Sequence, residues 1–283
     1  MSDKKKDSHH RLPRNFHKTF IPERQYLHAM LRFAARGGSG DMQAIAAETG
    51  IPTGISSGKV SPTLDYCRGM GLIQVPEVRS AVKTPELMPF GRAVLLEDPY
   101  LKEQLTQWLA HLCLCDLRGG AEIWYQTFLN GSNRLGMEFK RDVLEEWVAY
   151  SCNTEKGGLI GPLVRMYEDD SSFKSCGVLA EIDGKIVRKV APIKEFMALG
   201  YGAWLISMME MVAKQGAQVT VVELEEKCGW RTIAGWSLLE SQRVLELVER
   251  KGLLSVDRHM NPWILRARET ATNSWRNIYN DLI

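Results

Sequence analysis

The sequence has 283 residues, of which 45% are hydrophobic and 25% are charged, an ordinary composition for a globular protein with two or three domains. No apolar run approaches the roughly 20 residues that a membrane-spanning helix needs, and the polar, basic N-terminus lacks the apolar segment of a secretory signal. We therefore exclude integral membrane and exported proteins and predict a cytoplasmic one.

The net charge of +2 is distributed unevenly along the chain. Residues 1–96 hold 14 basic and 8 acidic side chains, residues 97–200 hold 12 and 16, and residues 201–283 hold 10 of each. An excess of positive charge at one end favours the binding of DNA phosphates there. Within that basic end, we expect residues 1–19 to form a flexible arm.

Residues 20–96 predict a winged helix-turn-helix module. Asp41 is a suitable N-cap for a short helix, and a second helix carries Val60, Leu64 and Cys67 at helical spacing. Two short strands and a further helix are then predicted at 72–75, at 78–82 and from residue 89 onwards.

The stretch GISSGKV, at 54–60, raises the alternative of a phosphate-binding loop in this module. Its two glycines are one residue too close for that motif, and Val60 stands where the metal-binding hydroxyl belongs. A recognition helix explains the stretch better, because such a helix enters the DNA major groove by its N-terminal residues. We therefore predict DNA contacts from the start of this helix and from one arginine upstream: Ser56, Ser57, Lys59, Thr63 and Arg24.

Residues 97–200 predict a helical middle domain, with apolar side chains at helical spacing over 99–117 and further helices at 121–129, 141–150 and 159–167. Its aromatic side chains are expected in the core.

Residues 201–283 predict a second winged helix with a closing helix. The patterns indicate helices at 201–215, 220–228 and 232–251, two returning strands, and a terminal helix at 267–283. Gly71-Leu72-Ile73 and Gly252-Leu253-Leu254 occupy equivalent places in the two modules. A packing or dimer contact suits this less basic module as well as DNA contact does.

A metal-dependent nuclease needs carboxylates that hold Mg²⁺. Asp169 and Asp170 are followed by Asp183-Gly184-Lys185, which is similar to a nuclease pattern of two metal-binding acids and a lysine. On this reading Asp169, Asp170 and Asp183 hold the metal and Lys185 is catalytic. The alternative is structural, because Asp-Gly favours a two-residue hairpin turn. The six scattered cysteines contain no C-x-x-C pair, so a zinc site is not expected.

Four motifs in order resemble a bacterial family that acts in DNA phosphorothioation defence: FHKTFIPERQYL, EDPYLKEQLTQWLAHLCL, AEIWYQTF and MYEDDSSFKSCGVL. Lys18 departs from the acidic residue expected after the histidine, which argues against a metal role for that segment. The resemblance implies a Mg²⁺-dependent DNA nickase. Its implied partners are a cysteine desulfurase, an ATPase and an ATP-pyrophosphatase-type enzyme, which together exchange a backbone oxygen for sulfur.

The sequence thus predicts a mainly α protein in which two winged helix-turn-helix modules flank a helical middle region. We expect a protein that binds duplex DNA and nicks it, with a homodimer as an open possibility. The rival interpretation is a non-catalytic DNA-binding scaffold or transcription regulator. A winged helix that binds only protein is a third.

Overall fold

The structure is a computed structural model, and it describes residues 11–54, 58–155, 157–213 and 218–282. The first half contains the helices α1 (Arg24–Ala35), α2 (Met42–Thr49), α3 (Val60–Gly69), α4 (Pro89–Glu97), α5 (Gln104–Leu114), α6 (Glu122–Tyr125), α7 (Ser132–Leu135) and α8 (Arg141–Ser151). The second half contains α9 (Gly161–Met166), α10 (Ala198–Val212), α11 (Val221–Cys228), α12 (Trp230–Ala234), α13 (Leu238–Arg250) and α14 (Ala271–Arg276). The strands are β1 (Ile73–Gln74), β2 (Glu86–Leu87), β3 (Glu138–Phe139), β4 (Leu179–Ile182), β5 (Lys185–Arg188), β6 (Val219–Thr220), β7 (Leu254–Asp257) and β8 (Ile264–Ala267).

Small antiparallel sheets accompany the helices. They are a pair β1-β2, a sheet with strand order β3-β5-β4 and a sheet with order β6-β8-β7. The chain is therefore rich in helix but mixed. The middle region, which the sequence predicted to be mainly helical, also contains the sheet of β3, β4 and β5. Within the described residues, no helix combines the length and the apolar character needed to cross a membrane.

Local signals set the boundaries of the first three-helix unit. The Asp41 carboxylate accepts hydrogen bonds from the backbone N–H groups of Gln43 and Ala44 at 3.0 and 2.8 Å, which caps α2. Gly50, with φ of +71°, ends that helix. Pro89 begins α4 as predicted.

The second predicted strand of this unit, 78–82, is wrong. β1 pairs instead with β2, in the register Ile73 to Leu87. Residues 78–82 form turns in which Val78 and Val82 are about half exposed, at 49% and 50%. Two valines at even spacing resembled a half-buried strand, but within the described ranges no strand pairs with them.

The helices α3 and α13, one in each half of the chain, end in the same way. Gly71 and Gly252 both have positive φ, +70° and +78°, immediately after α3 and α13. In each case the next leucine donates its N–H to a carbonyl five residues earlier, from Leu72 to Cys67 at 2.9 Å and from Leu253 to Val248 at 3.3 Å. This is a glycine-based helix ending followed by a strand, and it confirms the local correspondence predicted from sequence.

The C-terminal helices are shorter than predicted. The pattern at 232–251 suggested one helix, but Gly235 (φ +75°) ends α12, and Ser237 starts α13 in a capping box with Glu240. Thr220 caps α11 as predicted, accepting from Glu223 N–H at 3.0 Å. The predicted terminal helix 267–283 is reduced to α14, which spans Ala271–Arg276.

Buried side chains form one hydrophobic cluster that runs from Leu12 to Tyr279. Leu12 belongs to this cluster and pairs with residue 121, and Phe16 and His17 are also buried, so part of the segment predicted to be a flexible arm is packed. Close packing also fixes glycine positions: a Cβ at Gly91 would overlap the carbonyl oxygen of Leu72.

A polar network lies inside the middle region. The Tyr167 hydroxyl accepts a hydrogen bond from Trp124 Nε1 at 2.8 Å and lies 2.7 Å from His111 Nδ1. The neutral ring accepts the Tyr167 proton at Nδ1 when its own hydrogen is on Nε2, and donates to the hydroxyl in the other tautomer. Burial, and then the charge of Arg188, lowers the pKa of His111 well below its usual value, so the ring is neutral.

Candidate nucleic-acid interface

The loop before α3 closes on itself and places Lys59 at the start of that helix. Lys59 N–H donates to the Pro52 carbonyl at 2.8 Å, and Thr53 pairs with Gly58. A Cβ at Gly58 would overlap the Thr53 side chain, so this approach requires glycine. Ser56 and Ser57, two of the predicted DNA contacts, lie outside the described residues.

Lys59 is paired within the protein. Its ammonium group forms an ion pair with Glu23 Oε1, and it lies 5.0 Å from the centre of the Tyr26 ring. The two side chains of the pair are partly buried, with exposed fractions of 28% and 17%. Lys59 therefore stands at the predicted place for a DNA contact, but an acidic neighbour holds it.

Thr63 is also at the predicted position in α3, but its side chain faces the interior. It is 5% exposed, and its N–H donates to the Lys59 carbonyl within the first turn. A DNA contact from Thr63 would need this side chain to leave its packing. Of the sequence-predicted residues at the start of α3, Lys59 is the described one that reaches the surface.

Residues 16–24 form a segment that is held against α3 by hydrogen bonds and an ion pair. Lys18 and Thr19 have positive φ values of 45° and 74°, which is unusual for residues with a Cβ. Arg165 donates to the Thr19 carbonyl at 2.7 Å, and the Tyr66 hydroxyl donates to the Phe20 carbonyl at 3.1 Å. These bonds stabilise two strained residues in succession, so the segment has a defined shape on the surface of the module.

His17 lies in this segment and is buried, with 2% of its surface exposed. Its Nδ1 accepts the Thr19 N–H at 3.2 Å, while its Nε2 has no hydrogen-bond partner among the described residues. Burial lowers the pKa of His17 to about 4, so it is neutral at pH 7. His17 is therefore a packed, neutral histidine.

Arg24 ties the first module to the middle region. Its guanidinium donates to the Asp170 carbonyl at 2.7 Å, and its N–H donates to the Ser171 carbonyl at 2.9 Å. The predicted DNA-contact arginine is thus already engaged with backbone of the predicted metal-binding segment. This brings Arg24 and Asp170 together, a contact across 146 residues of sequence.

The predicted metal-binding acids near 170 are engaged locally. Asp169 accepts hydrogen bonds from the Ser171 hydroxyl and N–H at 2.6 and 2.8 Å, and these bonds hold its pKa below the usual value. Asp170 is exposed and forms an ion pair with Lys174 at 2.9 Å. These contacts are those of a capped surface turn.

Asp183 and Lys185 occupy a hairpin. Asp183 (φ 51°) and Gly184 (φ 73°) form the two-residue turn between β4 and β5, where Ile182 pairs with Lys185. Lys185 forms an exposed ion pair with Glu138 at 3.6 Å. The hairpin alternative considered from the sequence is therefore confirmed as local structure.

The carboxylates do not converge on a protein-only metal site. Within the described ranges, no group of three or more histidine, cysteine, aspartate or glutamate side chains is arranged to hold an ion. Asp169, Asp170 and Asp183 therefore do not form a three-carboxylate Mg²⁺ site by themselves in the part of the chain that the structure describes, and we assign no chemical step to a metal. Mg²⁺ in enzymes often uses only one or two carboxylates together with substrate phosphates and water.

Sequence reasoning missed two surface features of charge. Glu168 and Glu181 approach each other, so that burial and then the Glu181 charge raise the pKa of Glu168. On α1, the basic side chains of His28, Arg32 and Arg36 recur every fourth residue. The four-residue spacing of these basic side chains could have been recognised in the sequence, because it places all three on one face of a helix.

Comparison with known proteins gives structural matches. No protein-family model matches the chain, and no curated protein sequence matches it. The chain is similar to a crystal structure of magnesium ion-bound SspB, with a TM-score of 0.69 and 14% sequence identity, over 95% of this chain and 87% of that one. A second SspB crystal structure matches with a TM-score of 0.66 and 13% identity over the same shares of the two chains. The chain therefore has the fold of SspB along nearly its whole length.

Proposed function

We propose that this chain binds duplex DNA and nicks it as a component of a bacterial DNA phosphorothioation system, with Mg²⁺ as the required ion. The observation that carries the proposal is the SspB fold over 95% of the chain, including a match to an SspB structure that contains magnesium. The four sequence motifs that resemble the phosphorothioation family support it independently of the structure.

The element order of the first module supports the DNA-binding part of this proposal. Three helices are followed by a two-stranded hairpin and a fourth helix, in the order α1-α2-α3-β1-β2-α4. This is the order of a winged helix-turn-helix, whose third helix reads DNA. The module also lies in the part of the sequence with a positive charge balance.

The proposed partners are a cysteine desulfurase, an ATPase and an ATP-pyrophosphatase-type enzyme. A nick would expose the strand end at which these enzymes act to replace an oxygen by sulfur. A homodimer through the less basic C-terminal module is compatible with this arrangement.

One observation favours a second candidate function, a non-catalytic DNA-binding scaffold or transcription regulator. The predicted metal-binding carboxylates are separate, each held in its own turn or ion pair. A scaffold needs the DNA-binding module and the large packed body but no metal-binding group. Fold alone does not distinguish the two functions.

Relaxation of supercoiled plasmid by the purified full-length protein tests the proposal. We expect open-circle product with Mg²⁺ and none with EDTA. The variants Asp170→Ala and Asp183→Ala are compared with Glu77→Ala, an exposed acid elsewhere on the surface. Loss of nicking in either aspartate variant alone supports the predicted site, whereas nicking that survives in all variants supports a nickase with another site.

Absence of nicking with Mg²⁺ or Mn²⁺, under conditions where the protein shifts duplex DNA in a gel, would refute the nickase and leave the scaffold. Absence of both nicking and DNA binding would refute both functions.

A further inference from the structure

A basic stripe on α1 lies outside the residues that the sequence assigned to DNA. His28, Arg32 and Arg36 are spaced by four residues, which places them along one face of the helix. The opposite face carries the buried side chains Met30 and Ala34. The stripe is therefore the outward face of the first helix of the module.

This stripe borders a hollow of about 150 Å³ between α1 and α2, with Glu48 on the α2 side. Since liquid water takes up about 30 Å³ per molecule, the hollow has room for a phosphate group with some of its hydration. Its walls carry two guanidinium groups, an imidazole and one carboxylate. Arginine at such a site suits phosphate, because the planar guanidinium matches two phosphate oxygens.

Both arginines are available to a ligand. Among the described residues, neither Arg32 nor Arg36 makes an ion pair, in contrast to Lys59, which is held by Glu23, and Arg68, which is held by Asp65. A cation without a carboxylate partner loses little within the protein when it binds an external anion.

His28 adds an unsatisfied polar atom at the same place. Its Nδ1 is buried and has no hydrogen-bond partner among the described residues. Burial and the charge of Arg32 lower its pKa, although a hydrogen bond to the backbone of Pro99 opposes this. A bound anion would offset the repulsion from Arg32 and favour the protonated ring, which then donates from Nδ1.

The stripe continues onto the neighbouring loop through an aromatic side chain. The Tyr100 ring is 49% exposed and lies 4.4 Å from the His28 ring, centre to centre. Lys102 lies over the same Tyr100 ring at 5.9 Å. Positive charge and an exposed ring thus extend the surface beyond one helix. The eight residue steps from His28 to Arg36 span about 12 Å at 1.5 Å per step.

We propose that His28, Arg32 and Arg36 form a phosphate-binding site for the DNA backbone, which positions the module while α3 meets the groove. This inference rests on the proposed DNA binding and deepens it by naming the residues and the ligand group. Backbone contacts of this kind fix orientation and carry no sequence information. Glu48 is the opposing charge, and it limits the affinity of the site.

The test is the salt dependence of duplex binding by the full-length protein. Binding is measured by fluorescence anisotropy on duplexes of two unrelated sequences. Each phosphate contact adds about 0.9 to the slope of log K against log salt concentration. We expect Arg32→Gln and Arg36→Gln each to lower the magnitude of the slope by about 0.9 and to weaken binding to both DNA sequences equally. Glu48→Gln should tighten binding.

Arg243→Gln is the matched control, since Arg243 is an exposed arginine on α13 of the C-terminal module. Thermal melting checks that every variant is folded. An unchanged slope in both arginine variants, or a change equal to that of the control, would overturn this site while leaving DNA binding intact. A wild-type protein that binds neither duplex would overturn the proposed function itself.

Discussion

The ion pair between Lys59 and Glu23 leads us to expect opposite effects on DNA binding when each of its two members is substituted. If the Lys59 ammonium contacts a DNA phosphate, it must exchange the Glu23 carboxylate for that phosphate, because Glu23 now holds it. Lys59→Gln should then weaken DNA binding. Glu23→Gln should strengthen it, since the mutation removes both the internal competitor and a negative charge beside the DNA.

The magnitude follows from one phosphate contact. Loss of a contact lowers the slope of log K against log salt by about 0.9. Between 50 and 200 mM salt, a fourfold range, this changes the ratio of the wild-type affinity to the variant affinity by about threefold. Either substitution also breaks a partly buried ion pair at the junction of α1 and α3, which should lower the free energy of unfolding by about 1 kcal/mol.

Anisotropy titrations over that salt range, with a parallel urea denaturation of each variant, separate the two effects. If Lys59 only holds α3 against the segment before α1, both variants lose the same stability and neither changes the slope. That result would refute the role of Lys59 in DNA binding. A weaker Glu23→Gln variant with an unchanged slope would also refute the competition argument.

Three further predictions concern the packing that supports the interface. Tyr167→Phe removes the hydroxyl that bonds both Trp124 Nε1 and His111 Nδ1, and leaves Nδ1 with only a 3.8 Å contact to Cys115 Sγ. It should cost about 2–4 kcal/mol in urea denaturation, against about 1 kcal/mol for Tyr66→Phe, which loses a single bond; equal costs would contradict the network. The pKa of His17 is lowered from 6.5 to about 4, so the unfolded state takes up the proton first and stability falls as pH drops below 6.5. This loss should reach roughly 3 kcal/mol by pH 4 and be absent from the pH profile of His17→Gln. Gly91→Ala should lower the melting temperature because its Cβ overlaps backbone, whereas Gly119→Ala, which has open space, should not; similar melting temperatures would refute the clash.

Local signals made part of the fold predictable from the sequence. The cap at Thr220 and the proline at the start of α4 are short-range features, and the structure has both where they were expected. The break at Gly235 was missed because the apolar pattern continues across it. The Asp-Gly turn between β4 and β5 could be recognised from the sequence, but the pairing of β3 with β5 was missed because 45 residues separate these two strands, which no local window spans.

The candidate interface was harder to predict because its geometry depends on distant contacts. The sequence indicates that Lys59 begins a helix, but only the folded chain shows that Glu23 holds it. The sequence also shows three acids in a nuclease-like order. Their separation into a serine-capped turn and an Asp-Gly hairpin results from local hydrogen bonding that competes with metal binding.

Acidic side chains beside the basic ones set the character of the proposed DNA binding. Glu23 neutralises Lys59, and Glu48 faces the hollow that Arg32 and Arg36 border. A phosphate contact from Lys59 must therefore displace a carboxylate, and Glu48 repels a phosphate bound by Arg32 or Arg36, so the net gain per contact is smaller than the count of cations suggests. Such a surface favours binding that is sensitive to salt and that depends on several contacts forming together. Under the proposed function, this would let the protein leave DNA sites where only part of the surface is engaged.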